Sequence, residues 1–132
     1  MSDRNQLFKK WIEFAKEDLL AAQVVSKNGL NLQAAFHVQQ AIEKTLIGWI
    51  IKLTDTEPPY SHDLVRLVNI LKPHFVLTDN LLQKLASINP YYIQARYPSY
   101  KAQMAKGLSA EKTQNLILLA EEILSWQEPK MK

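Results

Sequence analysis

The sequence predicts an all-α protein: an antiparallel up-and-down bundle of about five helices, three long and two short, in one domain spanning residues 1–132. Three observations point there. Apolar residues recur at three- and four-residue steps through most of the chain, and no stretch alternates as a strand would. The six prolines, Pro58, Pro59, Pro73, Pro90, Pro98 and Pro129, all fall between or after these periodic stretches. With 132 residues, 47% of them apolar, the chain is long enough to bury one core without disulfide or metal support.

In the first stretch, Leu7, Trp11, Phe14, Ala15, Leu19, Ala22 and Val25 share a helical face, and Gly29 after Asn28 suits a left-handed stop, so a helix is predicted over about 4–27. Asn31 is then expected to cap a second long helix over about 32–53, with Leu32, Ala35, Phe36, Gln39, Ile42, Leu46, Trp49, Ile50 and Leu53 on its apolar side. The link between them is short enough to make the two antiparallel neighbours. Ser61 is expected to cap a third, short helix carrying Leu64, Leu67, Val68 and Leu71, ended by Pro73. Thr78 and Asp79 open a fourth with Leu81, Leu82, Leu85 and Ile88, closed by Asn89-Pro90. Between Pro90 and Gly107 the periodicity fades, although Ala102 to Lys106 suits a helical turn. Ser109 caps the last helix, with Glu111 near its positive end and Leu116, Leu119, Ala120, Ile123 and Trp126 along one side.

Composition excludes several chemistries. The absence of cysteine removes disulfide frameworks, thiolate metal sites and cysteine nucleophiles, and fits a reducing cytoplasm. The longest apolar run, Leu46 to Ile51, is far shorter than a membrane span, and the N-terminus carries no apolar signal region. The expected setting is therefore cytoplasmic, away from the membrane. No HExxH, P-loop or GxGxxG pattern occurs, and His37, His62 and His74 lack the spacing by which two ligands share a helix face, so no metal and no cofactor is expected.

The net charge of +3 is unevenly placed. No carboxylate side chain lies between Asp79 and Glu111, where Lys84, Arg96, Lys101 and Lys106 accompany Tyr91, Tyr92, Tyr97 and Tyr100. Basic residues interleaved with aromatics suit phosphate contacts plus base stacking, as a nucleotide or single-stranded RNA would need. The same tyrosines suit the end of a bundle, apolar ring inward and hydroxyl outward. On the second helix, Gln39 or Gln40 and Glu43 fall within one turn beside the apolar stripe. Polar groups there either bond one another and a neighbouring helix, or line a groove with Lys44 at its edge. His62 either donates to a loop carbonyl or reaches a ligand.

Four segments, FHVQQAIEKTLIGWI (36–50), SHDLVRLV (61–68), PYYIQARYP (90–98) and AEKTQNLILLAEEILSW (110–126), in this order and spacing, resemble the HEPN domain family, as does KEDLLAA in the first helix. The resemblance implies a five-helix bundle, frequently a homodimer, encoded beside or fused to a small nucleotidyltransferase, often as a toxin–antitoxin pair. Similar families include ribonucleases marked by an arginine followed four to six residues later by a histidine, and this sequence departs from that pattern. Arg96 is followed at those distances by Lys101, Ala102 and Gln103, Arg66 by Leu71, Lys72 and Pro73, and Arg4 by Lys9, Lys10 and Trp11. The resemblance therefore implies a branch that binds a nucleotide or RNA. It places Arg96, Tyr97, Tyr92, Lys101, Glu43, Lys44 and His62 around the pocket, with Arg96 on phosphate and Tyr97 or Tyr92 under a base. Two alternatives stand beside it: a metal-independent RNase toxin with a degenerate arginine and histidine site, and a dimerisation or protein-interaction module presenting Trp11, Trp49 or Trp126.

Overall fold

A computed structural model describes residues 2–94, 102 and 105–128. Its helices are α1 (Ser2–Lys27), α2 (Asn31–Leu53), α3 (Leu64–Leu71), α4 (Asp79–Ile88), the single turn α5 (Tyr91–Gln94) and α6 (Ala110–Leu124). Ala102, Ala105 and Lys106 are also helical, and no strand occurs among the described residues. The fold is an all-α bundle with α2 at its centre: α1, α3, α5 and α6 all pack on it, and α4 packs on α3.

Gly29 is the one described residue with positive φ, 79°. Its N–H reaches the Ser26 carbonyl at 3.0 Å and the Leu30 N–H reaches Val25 at 3.0 Å. This Schellman pair ties up two free carbonyls of α1 and reverses the chain within three residues. Because the reversal is so tight, Leu30 rather than Asn31 takes the capping position of α2, and no side chain caps it. Asn31 is already helical, and its amide instead donates to the Leu108 carbonyl at 3.4 Å, tying α2 to the start of α6.

The N-terminus of α3 also differs from expectation. Asp63, not Ser61, accepts from the backbone N–H groups of Val65 and Arg66, while Ser61 Oγ accepts from Asp63 N–H one step earlier. A carboxylate at this end gains from the helix dipole as well as the hydrogen bonds, so it outcompetes a hydroxyl two residues away. Asn89, closing α4, donates to Asp63 Oδ1 at 2.8 Å and accepts from Leu64 N–H at 2.8 Å, which locks the two short helices together. Thr78 and Ser109 cap α4 and α6 as predicted, accepting from Leu81 and Lys112 N–H respectively.

In the larger of two buried apolar clusters, Val38, Ile42, Leu46 and Ile50 of α2 meet Ala22 of α1, Leu64, Leu67 and Leu71 of α3, Leu85 and Ile88 of α4, and Ile117 and Ile123 of α6. Phe8, Trp49, Phe75 and Trp126 close one end through successive ring contacts of 4.7, 5.3 and 4.7 Å. Trp49 is thus buried, and Trp11 and Trp126 are half-buried, so none of the three tryptophans is the exposed contact that an interaction module was expected to present. Tyr91, half-buried against Leu32, Ala35 and Leu108, has its phenol pKa pushed up by desolvation.

The far end of α2 is finished by a residue from outside its own sequence neighbourhood. Arg4 Nε donates to the Ile51 carbonyl at 2.8 Å, and its Nη2 donates to the Thr54 and Thr56 carbonyls at 2.9 and 3.2 Å. A guanidinium there both satisfies terminal carbonyls and sits at the negative end of the helix dipole. Arg4→Ala is expected to lower unfolding free energy by about 1–2 kcal/mol, read from urea denaturation monitored by circular dichroism. Arg4→Lys, with one donor head in place of a fork, should recover only part of it.

Candidate functional site

Among the described residues, the side of α2 that carries Phe36, His37, Gln39, Gln40, Glu43 and Lys44 makes polar and aromatic contacts with α1, α5 and the chain before α3. Glu43 is 7% exposed and Gln39 is fully buried, so both need partners within the protein. The chain between α2 and α3 supplies them. His62 Nδ1 lies 2.9 Å from Glu43 Oε1, and the His62 carbonyl accepts from Gln39 Nε2 at 3.1 Å. Gln39 Nε2 also donates to Glu43 Oε1 at 3.2 Å, and Gln40 donates to Gln39 Oε1 at 2.7 Å. Among the described residues no buried side-chain nitrogen or oxygen lacks a partner. His62 therefore gives Glu43 its ring nitrogen and Gln39 its carbonyl, rather than donating to a loop carbonyl.

An ionised carboxylate only accepts, so the Nδ1 facing Glu43 carries a proton, and Nε2 is the ring nitrogen not engaged by Glu43. The imidazole is held flat as well as turned. Tyr92 of α5 stacks on it with ring centroids 3.6 Å apart and planes 19° from parallel, and Tyr60 meets it edge-on at 5.9 Å. Tyr92 in turn lies over Phe36 of α2 at 6.4 Å and 22°. Phe36, Tyr92 and His62 thus form a stack of three nearly parallel rings built from three elements. Its lower edge is the Glu43 and Gln39 hydrogen-bond set.

The next residue, Lys44, takes a different partner. Consecutive helical residues point about 100° apart, so Glu43 looks toward His62 while Lys44 looks toward α1. Asp18 of α1, its side chain 13% exposed, accepts from Lys44 Nζ through Oδ2 and meets His37 Nδ1 through Oδ1 at 3.0 Å. The His37 ring is edge-on to Phe36 at 5.4 Å. The structure thus presents two imidazoles, His62 and His37, each with Nδ1 turned onto a largely buried carboxylate, joined by the aromatic stack between them.

Of the residues singled out from the sequence, Glu43, His62 and Tyr92 come together directly, and Lys44 sits beside them in the Asp18 group. Arg96, Tyr97 and Lys101 lie outside the described residues; α5, which supplies Tyr92, leads straight into their segment. Asp18, His37 and Phe36 were missed as site residues. A signal for Asp18 exists, since it interrupts the core-facing positions Trp11, Ala15, Ala22 and Val25 with a carboxylate, and a charge at such a position needs a partner across the helix interface.

Two open cavities of about 380 and 250 Å³ lie elsewhere, between α4 and α6, and share Lys84 and Glu122. Each is open to solvent and neither is lined by a histidine, whereas the α2 side brings two histidines, two largely buried carboxylates and stacked rings together, which makes it the stronger candidate site. Among the described residues no group of three potential ligands is placed to hold a metal ion, and no helix is long and apolar enough to cross a membrane.

Comparison with known proteins gives two matches. The family model described as HEPN domain matches residues 8–130. A solved structure, the crystal structure of TT1696 from Thermus thermophilus, superposes with a TM-score of 0.77 at 25% identity, covering 89% of this chain and 93% of that one. No curated protein matches the chain.

Proposed function

The chain belongs to the HEPN domain family, and from that premise we propose that it is a nucleotide- or RNA-binding module acting with a nucleotidyltransferase partner in a toxin–antitoxin type system. The observation that carries the binding part is the parallel stack of Phe36, Tyr92 and His62 above the Glu43–Gln39 set. A flat π-surface extends naturally by one more ring, and hydrogen-bonding groups at its edge can read that ring's polar rim. The acid-free segment that follows Tyr92 supplies the phosphate-binding half of the proposal: Arg96 pairs with phosphate, Lys101 adds a second positive charge, and Tyr97 adds a second stacking ring. Lys44, whose charge is largely balanced by Asp18, stands at the rim.

The test is binding of labelled single-stranded RNA at two salt concentrations, wild type beside Arg96→Ala and Tyr92→Ala, with RNA length read from the same samples. Binding should weaken with salt, one increment of slope for each phosphate contact. Arg96→Ala should reduce affinity about tenfold and flatten that slope, whereas Tyr92→Ala should reduce affinity about tenfold and leave the slope unchanged. Failure of both variants to alter binding would remove this site from the proposal. The His62 imidazole oriented by Glu43 favours one second reading, a metal-independent ribonuclease in which Nε2 accepts the 2′-hydroxyl proton. RNA shortening in the presence of chelator, abolished by His62→Ala, is the outcome that selects it.

A further inference from the structure

Because α4 packs on α3 while α6 packs on α1 and α2, a trough is left between α4 and α6. The two open cavities of about 380 and 250 Å³ occupy it and meet at Lys84 and Glu122. Leu81 of α4 and Leu116 and Leu119 of α6 give it an apolar floor. Leu118, 52% exposed, lines one cavity, and Val76, 95% exposed in the chain before α4, lines the other. Lys84 and Glu122, one from each wall, are both exposed, and neither makes an ion pair among the described residues. Exposed apolar surface with a polar rim marks an interaction site, and two unpaired rim charges of opposite sign set what its occupant must carry.

We propose that the trough receives one amphipathic α-helix of another protein, its apolar stripe on the floor, an acidic side chain toward Lys84 and a basic one toward Glu122. The α6 wall runs from Asn115 to Trp126, which at helical rise is about 16 Å, or three turns of an occupant lying along it. Both walls are helices, so neither offers a free backbone edge. An extended segment lying there would bury N–H and C=O groups without partners, whereas a helix satisfies its own. A small molecule fits less well, because both cavities are open and would leave much of it uncovered. Charge narrows the occupant further. Acids on both flanks of the helix would set a carboxylate against Glu122, and bases on both flanks would set a cation against Lys84. Only a helix of split charge meets an opposite charge on each rim. The inference goes beyond the nucleotide- or RNA-binding reading and uses a different face of the bundle, so either can fail without the other.

The experiment measures fluorescence anisotropy of three labelled synthetic helical peptides, each about three turns long with the same leucine stripe. One carries glutamate along one flank and lysine along the other, the second glutamate on both, the third lysine on both. At about 0.15 M salt, charges more than about 8 Å apart are screened, so rim contacts dominate over net charge. The wild type is expected to bind the split-charge peptide about fivefold more tightly than either relative. Lys84→Glu makes both rims acidic and should move the preference to the all-lysine peptide, and Glu122→Lys should move it to the all-glutamate peptide. Leu118→Asp, at an exposed position, should weaken all three while circular dichroism shows the protein folded, and Tyr92→Ala should change none of them. A wild type that binds none of the peptides overturns the proposal. So does an order of preference that survives both rim variants, indifference to Leu118→Asp, or a loss with Tyr92→Ala, which would put the peptide on the α2 side instead.

Discussion

Gly48→Leu is expected to destabilise the protein by about 3 kcal/mol or more, a loss large enough to leave a small bundle partly unfolded at ambient temperature. Gly48 lies where α1 presses closely on α2. A Cβ added there would lie 3.3 Å from Phe8 Cδ1, 3.3 Å from Trp11 Cβ and 3.6 Å from Ile12 Cδ1. Three further carbons have nowhere to go except into Phe8 and Trp11, and Phe8 is itself wedged against Trp49 at 4.7 Å. The helices would have to separate, and with them the pairing that positions Asp18 against His37 and Lys44. Gly48→Ala is the informative control. It removes a helix-interior glycine, a gain of about 1 kcal/mol, against contacts that are only a few tenths of an ångström too tight. It should fall within about 1 kcal/mol of wild type, and a larger loss would mean that α1 cannot shift at all. Chemical denaturation of the three proteins side by side reads both outcomes.

Glu43→Ala is expected to cost about 1–3 kcal/mol of stability and to disturb the candidate site at the same time. The side chain accepts from both Gln39 and His62. Truncation leaves the fully buried Gln39 amide with one acceptor fewer and frees the His62 ring to turn under Tyr92. Glu43→Gln keeps the shape and one acceptor oxygen, so it should retain most of the stability. The pairwise part is measured by a double-mutant cycle with His62→Ala: if the two residues act as one unit, the double variant should be less destabilised than the sum of the singles by about 0.5–2 kcal/mol. Strict additivity would mean that the 2.9 Å contact contributes nothing to stability. The same proteins serve the RNA-binding assay, where Glu43→Gln separates loss of site chemistry from loss of fold.

The helices were legible because what makes them is local. The three- and four-residue periodicity of α1 and α2, the Gly29 stop, and the Thr78 and Ser109 caps each involve groups within about one turn of chain, whose geometry is the same in any protein. Asn31 and Ser61 show where local reasoning gives way. Both are good capping residues by type, yet a tight reversal placed Leu30 ahead of the first, and a neighbouring carboxylate outcompeted the second. That Gln39 and Glu43 must find partners was legible from the rule that polar groups on an apolar stripe need them, whereas the meeting of Glu43 with His62 and of His62 with Tyr92 was not.

By itself, the sequence determined the all-α class and the helices with their main stops, and it singled out some of the polar and aromatic residues that meet on the α2 side. Only the tertiary structure decided which of them meet. Glu43 and His62 are 19 positions apart, Asp18 and Lys44 26, and Arg4 and Thr54 50. The rule that a buried carboxylate needs a partner follows from the cost of desolvating its charge, and it can be read from composition and spacing. Which partner it finds depends on how helices far apart in sequence are set against one another. That setting comes from the whole core, through close approaches such as α1 on Gly48, and no short stretch of chain encodes it.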